Sequence, residues 1–91
     1  MTARTADQIL AEQFRITAEL SAMTGEYHRL LQKVAAAGFA RQMAEDTPGP
    51  DLTQAERDEI AARLTAETCE LRIQDLEKRL TALGHELAAL T

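Results

Sequence analysis

The chain has 91 residues, 45% of them hydrophobic and 27% charged, with a formal net charge of -5. This is one small domain, whose own core confers only marginal stability. The ten basic residues form no cluster, which argues against nucleic acid and against anionic membrane surfaces as partners, because both need grouped Lys and Arg.

Near Met1 no charged segment is followed by an apolar one, so no signal peptide is expected. No apolar run approaches the roughly 18 residues of a membrane span. The single cysteine, Cys69, forbids a disulfide framework within the chain. Together these lead us to expect a cytoplasmic protein.

The first element begins with Thr5-Ala6-Asp7-Gln8, a weak capping box. Helix formers follow, and we predict a helix over about 5–44. Ala6, Ile9, Gln13, Ile16, Leu20, Met23, Tyr27, Leu30, Val34 and Ala37 recur at alternating spacings of three and four. That is the a/d pattern of a coiled coil. Gln13 is the one polar member, and a polar residue at such a position can fix register. Gly25 and Gly38 lie inside this helix, and either could kink it.

The turn is predicted over 45–52, where Pro48-Gly49-Pro50 must stop a helix. Next comes Thr53-Gln54-Ala55-Glu56, a stronger capping box, with Asp58 and Glu59 suited to the helix dipole. A second helix is predicted over about 53–90. Its seam is Ala62, Ala66, Cys69, Ile73, Leu76, Leu80, Leu83, Leu87 and Leu90. With Pro48 at the centre of the turn, facing residue numbers sum to 96, and the two seams meet this condition, as in Ile9 with Leu87 and Met23 with Ile73. The fold class is therefore all-α: an antiparallel two-helix coiled-coil hairpin.

Several apolar residues fall outside the seam. Leu31, Phe39 and Met43 on helix 1 and Ile60, Leu64 and Leu71 on helix 2 are the candidate partner-binding residues, with Leu10 and Phe14 a smaller group. A second apolar face calls for another helix. The expected partner is a second copy, giving a homodimeric four-helix bundle, or another helical protein.

No residue set promises chemistry. Cys69 has no nearby cation in its stretch of helix and reads as a small buried hydrophobe. His28 and His85 have no ligating residue three or four positions away, so no metal site is expected. An enzyme would need convergent polar groups in a pocket, whereas Arg41 and Glu59, both near the turn, are the only charges at the seam. We expect no catalytic residue, no cofactor and no small-molecule substrate. The function expected is a non-catalytic interaction module: an adaptor, assembly factor or chaperone-like hairpin. The alternative is a self-assembling or secreted structural subunit.

Overall fold

The computed structural model describes residues 4–47, 49 and 51–91. Helix α1 spans Ala6–Asp46 and helix α2 spans Leu52–Ala89. They pack antiparallel as one hairpin measuring 67 × 21 × 15 Å. The radius of gyration is 20.1 Å, against about 12 Å for a compact chain of this length. The molecule is a rod, so almost every residue outside the seam meets solvent.

Helix starts are set by side-chain caps. Thr5 accepts from the Gln8 amide, and the Gln8 side chain accepts from the Thr5 amide, completing a capping box. At α2 the cap is Asp51, whose carboxylate accepts from the Gln54 amide. The box expected at Thr53 is not used as the helix start. Asp51 offers a charged acceptor two residues earlier, and an aspartate there suits the positive end of the helix. Gly49 has a φ of 117°, a conformation that L side chains rarely adopt, so glycine is required in the turn. The prolines expected to stop the helix, Pro48 and Pro50, lie outside the described residues. Gly25 and Gly38 do not break α1, which is one element from Ala6 to Asp46.

The seam is apolar and divides into two clusters. Towards the termini, Ile9, Ile16, Leu76 and Leu83 are buried, with Leu20, Met23, Leu80 and Leu87 packed against them. Towards the turn, Leu30, Ala66 and Cys69 are buried against Met23, Tyr27, Val34 and Ile73. These are heptad residues of the sequence pattern, but the ends differ. Ala6 is exposed in the first turn of α1. Leu90 is 50% exposed, because α2 ends at Ala89 and Leu90 serves only as its C-cap. Ala44, one heptad beyond Ala37, is buried. Gln13 is half-buried within the seam.

Charged residues fix one side of the pair. Heptad g positions flank the seam on one side and e positions on the other. Across the g side, Arg72 reaches Glu19 at 2.6 Å and Arg79 reaches Glu12 at 3.6 Å. Both pairs join g residues that the seam register sets opposite each other. Arg4 adds ion pairs to Glu12 and Glu86 at the open end, and these hold its guanidinium pKa above the usual value, the Glu86 hydrogen bond most strongly. Near the turn, Arg41 donates to Glu59 at 3.1 Å and to Glu45 at 2.7 Å. Glu59 has only 14% of its side chain exposed, and Gly38 makes room for it. A Cβ on Gly38 would stand 3.1 Å from the Glu59 carboxylate.

Candidate interaction surfaces

All six sequence-predicted partner residues are exposed: Leu31 42%, Phe39 64%, Met43 47%, Ile60 58%, Leu64 57% and Leu71 65%. They do not form one face. Leu64 and Leu71 each lie two residues from a buried seam residue, Ala66 and Cys69, and so about 200° round the helix from it. They point away from α1 and make a ridge along the outer side of α2, with Ile60 on the flank of that ridge towards the e side. Phe39 is nine residues from buried Leu30, about two and a half turns, so it points away from α2. Met43 is one turn further along α1 on that outer side. Leu31 belongs to neither ridge. It stands beside the seam on the e side. Leu10 and Phe14 are also exposed, Phe14 at 79%.

The e side holds a concavity that the sequence reading missed. Tyr27, Val34 and Ala66 form its floor, Leu31 its α1 wall, and Arg63, Glu67 and Glu70 its α2 wall. Its volume is about 130 Å³, room for about four waters at about 30 Å³ each, or for one long side chain. The Tyr27 hydroxyl lies 3.5 Å from a Glu70 carboxylate oxygen. Its pKa is raised above the ordinary tyrosine value, first by lost hydration and then by the negative charge of Glu70. The signal for this groove was present in the heptad phase. The e and b positions of α1 from Leu10 to Gln42 contain no Asp, Glu, Lys or Arg, whereas those of α2 are acidic.

On the g side a larger, open depression of about 540 Å³ has Met23, Leu30 and Cys69 as its floor and Glu26, Arg72, Thr65 and Thr68 as its rim. The Cys69 sulfur lies 3.6 Å from the Met23 carbonyl oxygen and is buried. His28 and His85 are both exposed. No cluster of three His, Cys, Asp or Glu suited to a metal ion occurs among the described residues. No helix among them is long and apolar enough to cross a membrane.

No family model, curated protein or solved structure matches the chain.

Proposed function

We propose that this chain is a non-catalytic protein–protein interaction module of the cytoplasm, a helical hairpin that works as a small adaptor, assembly factor or chaperone-like protein. It self-associates through the outer ridge of α2, placing four helices in one homodimer, and it has a free surface for another helical protein. One observation carries the reading: among the described residues, eight large apolar side chains outside the seam lie exposed, among them Ile60, Leu64 and Leu71 along α2. Scattered apolar residues on a surface are ordinary, but a row of them along one helix side is the signature of a helix-packing face. Shape supports it. The accessible surface is 6599 Å², against about 5,200 Å² for a compact monomer of this mass. The excess is comparable to the roughly 1,200–2,000 Å² buried in a standard interface.

The test is solution mass by light scattering across a wide concentration range, with Ile60→Glu as the disrupting variant. A dimer that Ile60→Glu converts to a folded monomer supports the proposal. A wild type that stays monomeric throughout overturns its self-association.

A specific observation favours a second reading, the self-assembling structural subunit. Apolar residues stand on both outer sides, with Phe39 and Met43 on α1 and Ile60, Leu64 and Leu71 on α2. If the α1 side of one copy met the α2 side of the next, the contact would be heterologous and need not close. Mass that grows without limit as concentration rises would select this reading over the closed dimer.

A further inference from the structure

The e side of the hairpin has two unlike edges with a groove between them. The α1 edge is free of Asp, Glu, Lys and Arg from Leu10 to Gln42. The α2 edge carries Glu67, Glu70 and Glu77, and none of the three lies within ion-pair distance of a basic group among the described residues. Arg63, on the same edge, faces Glu59 at 3.6 Å instead. Along the g side, charges are paired across the seam at Glu19–Arg72 and Glu12–Arg79. The e side therefore offers an uncharged flank on α1, apolar at Leu31 and Ala35, and unneutralised negative charge on α2.

We propose that this groove receives a basic amphipathic helix of another protein, which lays its apolar stripe on Leu31, Val34 and the uncharged edge of α1 and directs a Lys or Arg to Glu67 and Glu70. This rests on the reading of the hairpin as a helix-binding module and names the partner that its e side fits. A third helix against the seam is a standard way to bury such a flank. The concavity fits the alkyl stem of one long cationic side chain, which crosses the ring of Tyr27 with its charge at the rim. Charge decides against a second copy here. Docked with α2 edge on α2 edge, two copies would set Glu67, Glu70 and Glu77 near the same three residues, where like charges repel. Docked with α2 edge on α1 edge, they would cover those carboxylates with a surface that has no Lys or Arg. The outer ridge of α2, which we assign to self-association, carries Leu64 and Leu71 between Arg57 and Lys78, so its charges stand at the ends of the contact and not along it.

Tyr27 supplies the assay. It is the only tyrosine and the chain has no tryptophan, so its emission reports the groove alone when the ligand lacks aromatic residues. The probes are two synthetic helices of Leu, Ala and Gln, one with Arg along a flank of the Leu stripe and one with Gln in place of each Arg. We expect saturable quenching or enhancement with the Arg peptide, at least about tenfold weaker binding of the Gln peptide, and affinity that falls as salt rises. Glu67→Gln with Glu70→Gln should weaken the Arg peptide by about tenfold. Both side chains are exposed, so helicity is retained. Leu71→Ala, on the outer ridge, should leave this affinity unchanged. Equal binding of the two peptides, an unaltered affinity in the double Gln variant, or no binding at all would overturn the proposal. Light scattering on the same samples separates the two readings. A monomer that binds the Arg peptide sinks self-association and leaves the groove standing. A dimer blind to the peptide does the reverse.

Discussion

Leu71 and Leu76 are the same residue type on the same helix, five positions apart, with exposures of 65% and 0%. Leu76 is fully buried among Ile9, Ile16 and Leu83. Leu76→Ala removes that packing and leaves a void. Such changes cost about 2.7–5 kcal/mol. The seam is only two helices thick, so the void opens towards solvent and the lower end, about 3 kcal/mol, is expected. Leu71→Ala in a free hairpin is different. About a third of the side chain is covered, and full burial of a leucine is worth about 1.5–3 kcal/mol. That leaves about 0.5–1 kcal/mol, reduced further by the slightly better helix propensity of Ala. If Leu71 is covered in a dimer, its cost depends on concentration, because association is coupled to stability by mass action. We expect about 0.5 kcal/mol for Leu71→Ala in dilute solution, rising towards about 2 kcal/mol per chain where the wild type is dimeric. The assay is urea denaturation followed by circular dichroism at several protein concentrations. Equal, concentration-independent costs for the two variants would refute the seam assignment. A Leu71→Ala cost that stays small at every concentration would refute the α2 interface.

Gly25→Ala and Gly84→Ala place a Cβ in open space, so each should stabilise by about 0.5–1 kcal/mol and raise Tm by about 2–8 °C. Gly38→Ala should give no gain, because the new Cβ pushes the Glu59 carboxylate away from Arg41; thermal melts of the three variants decide. Thr5→Ala and Asp51→Ala each remove an observed cap and should cost about 1 kcal/mol, whereas Thr53→Ala should stay within about 0.5 kcal/mol, as chemical denaturation would show. Tyr27 should titrate above the ordinary tyrosine range, seen as tyrosinate absorbance, and Glu70→Gln should lower its pKa. Because the folded-state pKa is the higher one, the proton is held more tightly in the native state. The stability this contributes is complete below pH 10 and is lost as pH rises from there through the folded value. Tyr27→Phe should remove that part of the alkaline loss.

Most of the fold was legible because a coiled coil writes its contacts into a repeat. Ile9, Ile16, Leu76 and Leu83 are buried where the heptads put them, and the g ion pairs match the register inferred from the turn. What was misread has local causes. The capping motif at Thr53 lost to Asp51 because two overlapping caps compete, and sequence alone does not rank a charged acceptor against a better-matched box. Leu90 keeps the seam phase but lies past the last turn of α2, where no partner turn remains to cover it. The spacing that set Ile60, Leu64 and Leu71 in one stripe works within a single helix, and only the paired helices place Phe39 and Leu71 on opposite outer sides. The groove went unseen for the same reason. Its walls come from e and b positions of two helices, and only their pairing across the seam sets Leu31 opposite Glu70.

The contrast between the two sides of the seam bears on what the hairpin is for. Glu19 and Arg72 neutralise each other on the g side, yet Glu70 on the e side meets only a tyrosine hydroxyl. A Lys or Arg at position 24 or 31 of α1 would pair the acidic edge as the g side is paired. Thr24 and Leu31 stand there instead. An exposed ion pair is worth about 0–1 kcal/mol, so leaving Glu67, Glu70 and Glu77 unpaired costs the hairpin little. The same charges beside a concavity floored by Tyr27, Val34 and Ala66 attract an incoming cation more strongly once its helix has displaced water from the groove. Stability is thus concentrated in the seam, and under the proposed reading the unpaired carboxylates of the e side are what a cationic helix would meet.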